Sequence, residues 1–219
     1  MMQLLLATHN ANKTREFAQL FGPEILIRDL TQIPATGPVA ETGSTFEQNA
    51  TIKAQIVSGL FPNELVLADD SGLDVEALNG PGIFSARYAA EHATDEQNVV
   101  KLLSELTNRD RAMDPRHPRP TQAQTARGRA LSNKARFCCV LALARRGQVL
   151  GTFSGEVRGN IVDKRRGNKG FGYDPVFQPE GFEETFAELA AETKNRISHR
   201  ARAAEKLRAF LAQMPANDR

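Results

Sequence analysis

Residues 64–72 read Glu64-Leu65-Val66-Leu67-Ala68-Asp69-Asp70-Ser71-Gly72, a short apolar run closed by two adjacent carboxylates. Leu65 to Ala68 have the length and composition of a buried strand, and Ser71-Gly72 is the turn signal expected to end it. Two acids at the end of a buried strand repel each other and lose hydration if the site is closed. Such a pair is tolerated when a cation lies between them, typically a magnesium ion carrying phosphate oxygens. The competing reading of an isolated Asp-Asp is a polar strand end followed by an Asx-type turn. The rest of the chain has to decide.

Upstream, Met1 to Thr8 reads as a buried strand. Asn12 to Phe21 is a helix with Phe17, Leu20 and Phe21 on one face, stopped by Gly22-Pro23. Ile25 to Leu30 is a second strand. Ser44 or Thr45 is expected to cap a helix that runs to about Leu60, with Glu47 three residues after Ser44 as in a capping box. Downstream, Asp95 to Leu106 is a helix. Ala135–Ala144, Val149–Val157 and Asn160–Val162 are strands, and a glycine-rich loop over 167–175 leads to a short strand at Val176–Phe177. A last helix covers about Ser198 to Gln213. Alternating elements in the first half and clustered strands in the second predict an α/β protein around a mixed sheet. Neither an internal repeat nor a clean linker is visible, so residues 1–219 are expected to form one fold unit in two lobes.

The chain has 219 residues, 41% hydrophobic and 25% charged, an ordinary globular balance. No stretch approaches a membrane span, and the first ten residues turn polar too soon for a signal peptide. A net charge of +2 gives no sign of a general polyanion binder, but the charge is uneven. Between Arg109 and Arg136 eight Arg or Lys face only Asp110 and Asp114, a local excess of six, among Pro115, Pro118 and Pro120. This composition predicts an exposed or disordered insertion over about 108–133, and its lack of aromatics argues against nucleic-acid binding. The two cysteines, Cys138 and Cys139, are neighbours on a predicted strand and point to opposite faces. They are expected to stay free and pack as small apolar residues, which suits a reducing cytoplasm.

Four polar clusters lie at element ends, where sheet-based sites form. Thr8-His9-Asn10-Ala11-Asn12-Lys13 joins the first strand to the first helix. Backbone N–H groups and the positive helix end favour an anion there, and Lys13 adds full charge. A plain helix cap explains the same residues. Glu41 precedes the second helix and Lys53 lies along it. With Asp69, Asp70 and Ser71 they offer the hard oxygens and cations of a magnesium–phosphate site. Phe171-Gly172-Tyr173-Asp174 places aromatics about a glycine, where a flat ligand can stack. Lys194, His199 and Arg200 can donate to a base carbonyl or to phosphate. A core turn and an ordinary cap at Ser198 are the alternatives for these last two segments. Together the clusters provide acids for a metal, cations for a polyphosphate and a slot for a base. A nucleoside triphosphate carries roughly four negative charges, so electrostatic positioning would be the main catalytic device.

The ordered set Thr8-x-Asn10-x-x-Lys13, Glu41-Thr-Gly-x-Thr-Phe46 with Asn49-Ala50 and Lys53-Ala54, Ala68-Asp-Asp-Ser-Gly-Leu73, Pro81-Gly82 with Ser85-Ala-Arg-Tyr88, Gly170-Phe-Gly-Tyr-Asp-Pro175 and Ser198-His-Arg200 resembles the inosine triphosphate pyrophosphatase (Ham1/RdgB-like) family over nearly the whole chain. The resemblance implies an elongated mixed sheet flanked by helices, with two lobes around a central cleft, usually in a homodimer. It also implies magnesium-dependent hydrolysis of dITP, ITP and XTP to the monophosphate and pyrophosphate. Carried over, Thr8, His9, Asn10, Asn12 and Lys13 hold phosphates, with Lys53 and Ser71 touching them as well. Glu41 and Asp70 bind the metal, and Asp70 or Asp69 activates water. Phe171, Gly172, Tyr173, Asp174, Lys194, His199 and Arg200 grip the purine. His9 stands where the family often has glycine, and the basic insertion is longer than usual.

Two rivals stay open at this stage. One is a Maf-like pyrophosphatase acting on modified pyrimidine nucleotides. The other is a non-enzymatic nucleotide- or RNA-binding protein working through the basic stretch.

Overall fold

A computed structural model of the chain describes residues 2–33, 37–113 and 133–215. The strands are β1 (Met2–Leu6), β2 (Ile25–Asp29), β3 (Val66–Val75), β4 (Gly80–Pro81), β5 (Lys134–Arg145), β6 (Gln148–Ile161) and β7 (Phe177–Pro179). The helices are α1 (Ala11–Phe21), α2 (Phe46–Leu60), α3 (Asp95–Met113), α4 (Ala191–Ile197) and α5 (His199–Gln213). The sheet order is β2-β1-β3-β5-β6-β7, with β4 paired to β3. β1 runs parallel to both β2 and β3, whereas β3–β4 and β6–β7 are antiparallel, so the sheet is mixed. Among the described residues no helix is long and apolar enough to cross a membrane.

The chain divides into two compact units, one of Met1–Ser71, Phe137–Val157 and Ala190–Arg219, the other of Gly72–Arg136 and Arg158–Leu189. In the first, strand alternation sorts the apolar residues into two cores. Leu4, Leu6, Leu65, Leu67, Cys139, Leu141 and Leu143 face Phe17 and Phe21 of α1 and Ala203, Leu207 and Leu211 of α5. Leu5, Ala7, Val66, Ala68, Ala142 and Ala144 face Ala50, Ala54 and Val57 of α2. β1 leads through α1 to β2 on one side, and α2 returns the chain to β3 on the other. Open α/β sheets place their ligands beside a reversal of direction of this kind, outside the carboxyl end of the first strand. In the second unit, α3 buries Val99, Leu102 and Leu106, and Phe177 packs on Phe186 at 5.1 Å.

Several boundaries differ from expectation. β3 does not turn at Ser71-Gly72 but continues to Val75, so the two aspartates lie inside a strand. Alternation sends them to opposite faces, where each meets its own cations, and no turn is needed to expose them. β6 is one strand: Gly159 does not break it, and a Cβ there would lie 2.2 Å from the Gln178 carbonyl oxygen of β7. α2 is capped by Thr45, whose hydroxyl accepts from Gln48 N–H at 3.1 Å, while Gln48 accepts from Ser44 N–H at 2.7 Å. The box is closed by Gln48 rather than Glu47. α3 extends to Met113 because Arg, Ala and Met continue a helix readily once it is nucleated. Of the expected insertion, residues 114–132 lie outside the described residues. α4 was not anticipated. Ser198 caps α5 as expected, its Oγ accepting from Ala201 N–H at 3.1 Å.

The first turn of α5 approaches β6 at Gly155, where a Cβ would lie 2.2 Å from the His199 carbonyl oxygen and 2.6 Å from Ala203 N. Both are backbone atoms, so the helix itself would have to shift. Gly155→Ala is expected to lower the unfolding free energy by about 1–3 kcal/mol in urea titration, the usual range for overpacking.

Candidate active site

Asp69 is 3% exposed and both of its oxygens are committed. Oδ1 pairs with Lys13 Nζ and accepts from Ser71 Oγ at 3.0 Å. Oδ2 accepts from Arg200 Nε at 3.2 Å and from the Cys139 thiol at 3.3 Å. Arg200 spreads its guanidinium further, to Glu16 Oε2 at 2.9 Å and Ser71 Oγ at 2.6 Å, and Lys194 Nζ meets Glu16 Oε1 at 2.8 Å. α1, α4, α5, β3 and β5 thus meet in one buried ion network. Burial alone would raise the Asp69 carboxyl, but Lys13 and Arg200 outweigh it and hold it far below the usual carboxylate range. Glu16 is lowered in the same way: burial opposes, and Arg200 and Lys194 prevail. The Cys139 thiol is pushed well up by burial and by Asp69, which keeps its proton available for that carboxylate.

On the opposite face Lys53, from α2, donates to Glu41 Oε1 at 2.8 Å, Asp70 Oδ1 at 3.1 Å and the Asp69 carbonyl oxygen at 2.7 Å. Burial pushes the Lys53 ammonium down, but Asp70 and Glu41 more than restore it, and its value is raised. Asp70 is raised: burial is the main cause, Lys53 opposes it and Glu41 adds to it. Asp70 Oδ2 is buried and has no hydrogen-bond partner among the described residues. An unsatisfied carboxylate oxygen next to a second carboxylate is a donor set that fits a hard cation. No group of three or more acid, His or Cys side chains among the described residues could hold a metal. Magnesium needs no such cage, since it takes one or two carboxylates and fills its other positions with phosphate oxygens and water.

At the start of α1, Asn10 Oδ1 accepts from Asn12 N–H at 2.9 Å and Lys13 N–H at 3.4 Å, and Thr8 Oγ1 accepts from Asn10 N–H at 3.1 Å. Two backbone donors expected to be free for an anion are therefore held by the cap, while the Lys13 ammonium pairs with Asp69 and Asn12 Oδ1 accepts from Arg15 at 3.4 Å. His9, Asn10 and Asn12 are exposed. His199 is buried, stacks on Phe137 at 4.7 Å and 9°, and leaves Nδ1 without a hydrogen-bond partner among the described residues.

Phe171 to Asp174 belong to the second unit. Gly170 and Gly172 have φ of 73° and 61°, and a Cβ on Gly170 would overlap Asp174 Oδ2. The turn is closed by carboxylates: Asp174 Oδ2 accepts from Phe171 N–H at 2.9 Å and Asp95 Oδ2 from Gly172 N–H at 2.7 Å. Tyr173 is buried and donates to the Ser85 carbonyl oxygen at 2.9 Å, whereas Phe171 is only half-buried.

Glu16 and Cys139 were given no site role in the sequence, and Asn49 stood in the ordered motif set without an assigned role. Asn49 Oδ1 accepts from Gly43 N–H at 2.8 Å and so fixes the turn that follows Glu41. Only Glu16 carried a local signal, lying one turn beyond Lys13 on α1.

The model of the Ham1 family matches residues 4–117 and 120–210. The dITP/XTP pyrophosphatase of Bacillus subtilis is 39% identical over 213 residues, covering 96% of this chain and 98% of that protein. Among solved structures, the Ham1 protein of Staphylococcus aureus superposes with a TM-score of 0.75 at 37% identity over 96% of this chain and 98% of that one. A HAM1 protein from Coxiella burnetii gives 0.77 at 34% identity, covering 98% of this chain and 100% of that one.

Burial, then Arg200 and Lys194, holds His199 well below its ordinary value of 6.5. The unfolded chain therefore binds the extra proton first. Stability is whole above about pH 6.5 and falls below it, by up to about 1.4 kcal/mol per pH unit, until the folded-state value is passed. Urea unfolding at pH 7.0 and 5.5 measures this loss, and His199→Gln is expected to remove it.

Proposed function

Because this chain belongs to the Ham1 family, we propose that it hydrolyses noncanonical purine nucleoside triphosphates, namely dITP, ITP and XTP, to the monophosphate and pyrophosphate and so removes them from the nucleotide pool. The observation that carries this reading is the pair of aspartates on opposite faces of β3, one saturated with cations and the other keeping an unsatisfied buried oxygen. Two free cysteines suit a cytoplasmic setting, and we propose a homodimer on the resemblance to the family.

The two carboxylates are suited to different tasks. Asp69 is held ionised and has no oxygen to spare, so it is a poor proton acceptor and a good anchor for Lys13, Ser71 and Arg200. Asp70 has a raised value and an unengaged oxygen, the properties of a general base. It would take a proton from the water that attacks the α-phosphorus. The new P–O bond forms as the bond to the bridging oxygen breaks and pyrophosphate leaves. Lys13 and Lys53 are assigned to the phosphates, together with Thr8, His9, Asn10, Asn12 and Ser71. Glu41 and Asp70 would hold magnesium, which when bound offsets polyphosphate charge and makes water easier to deprotonate.

Phe171, Gly172, Tyr173, Asp174, Lys194, His199 and Arg200 are assigned to the purine. Lys and Arg can only donate, so they pair with a 6-oxo group and leave a 6-amino group unmatched, at a cost that rejects adenine, while guanine, also 6-oxo, has to be rejected at its 2-amino group. The Maf-like rival is disfavoured, since a relative named dITP/XTP pyrophosphatase matches 96% of this chain.

Purified protein with magnesium is expected to release pyrophosphate from ITP and XTP much faster than from ATP, GTP, UTP or dTTP. Equal turnover of all six, or orthophosphate as sole product, is the contrary result. Asp70→Asn removes both a metal ligand and the base, and is expected to lower kcat at least about a hundredfold in the same assay.

A further inference from the structure

Lys53 occupies an unusual position for a residue assigned to phosphate. Its ammonium is buried, with all three N–H donors on oxygen: Glu41 Oε1 at 2.8 Å, Asp70 Oδ1 at 3.1 Å and the Asp69 carbonyl at 2.7 Å. Two carboxylates and a carbonyl about one positive charge make a set of ligands suited to a hard divalent ion. Beside them Asp70 Oδ2 stays unsatisfied, so one monovalent cation with three donors does not use the whole set.

We propose that Lys53 is a built-in counterion that competes with the divalent cation for Glu41 and Asp70, and that it yields when nucleotide phosphate offers it another anion. This rests on the metal reading above. Without Lys53 the buried Asp70 would lose its hydrogen-bonded cation and be left beside the partly exposed Glu41, a repulsion that a folded chain tolerates poorly. With Lys53 the free protein is stable but binds the ion weakly, because the ion must displace an ammonium held by three bonds. Phosphate bound nearby draws the ammonium away and frees the acids. Ion and phosphate then each tighten the other's binding, and thermodynamic linkage makes the two effects equal.

The test is divalent-ion affinity in the absence of nucleotide, measured on the full chain by Mn2+ electron paramagnetic resonance and by Mg2+ calorimetry. Lys53→Met is expected to bind the ion at least tenfold more tightly than the native protein, and Lys53→Arg to stay near native. Thermal denaturation supplies a second readout, since Lys53→Met should melt lower than native without ion and be raised more by Mg2+. Adding Asp70→Asn to Lys53→Met should abolish both gains. Equal or weaker affinity in Lys53→Met, or a melting point that Mg2+ does not recover, overturns the proposal. A native protein that shows Asp70-dependent ion binding with monophosphate and pyrophosphate, while Lys53→Met is no tighter, disproves only the competition. Loss of any Asp70-dependent ion binding under all conditions disproves the metal reading itself.

Discussion

A buried carboxylate must be given cations by the fold, and this chain buries two of them side by side on one strand. Taking a single carboxylate out of water costs several kcal/mol after relaxation, and removing one partner from a buried pair typically costs 3–5 kcal/mol. Asp69 and Asp70 escape mutual repulsion only because a strand sends neighbouring side chains to opposite faces. Each face then needs its own helix bearing a positive charge. α1 and α5 carry Lys13 and Arg200 to one side, and α2 carries Lys53 to the other. The layered arrangement of the first unit therefore serves both a hydrophobic requirement and an ionic one, set by the same β3 residues.

That double requirement explains what the sequence disclosed and what it hid. Leu65 to Ala68 announced a strand because apolar runs of that length have few other uses, but Asp69-Asp70 looked like its end. Acids are rare inside strands, and the cations that permit them come from residues 13, 53 and 200, beyond any local window. Ser198 was legible as a cap because capping is a matter between a side chain and the next turn. The Ser44–Glu47 box failed by one residue, since Thr45 and Gln48 satisfy the same pattern and only the backbone path selects between them. Cys139 was read as a small apolar residue, and its place in the leucine core agrees with that. Its hydrogen bond to Asp69 is a tertiary coincidence of β3 with β5, and no spacing encodes it. The sequence names candidate residues by type and order, while the pairing among them comes only from the fold.

The pairing matters because it separates two residues of one type by environment. Asp69 accepts from Lys13, Ser71, Arg200 and Cys139, and such saturation leaves it the ionised anchor of the network. Asp70 shares one ammonium with Glu41 and keeps an unsatisfied oxygen. Neighbouring carboxylates pushed in opposite directions are the general sign of divided labour between a fixed charge and a proton acceptor.

The formal charges of the cluster lead to a further constraint. Lys13, Lys53, Lys194 and Arg200 contribute four positive charges, and Glu16, Glu41, Asp69 and Asp70 four negative ones, so the set sums to zero. Each cation is already spoken for by an acid. A triphosphate bringing roughly four further negative charges would find balance only by taking cations from carboxylates that are buried and cannot be left bare. Charge added from outside the chain reduces this deficit. A divalent ion at Glu41 and Asp70 would replace the charge Lys53 withdraws and bring one more besides, which is the electrostatic ground on which magnesium is proposed for this site.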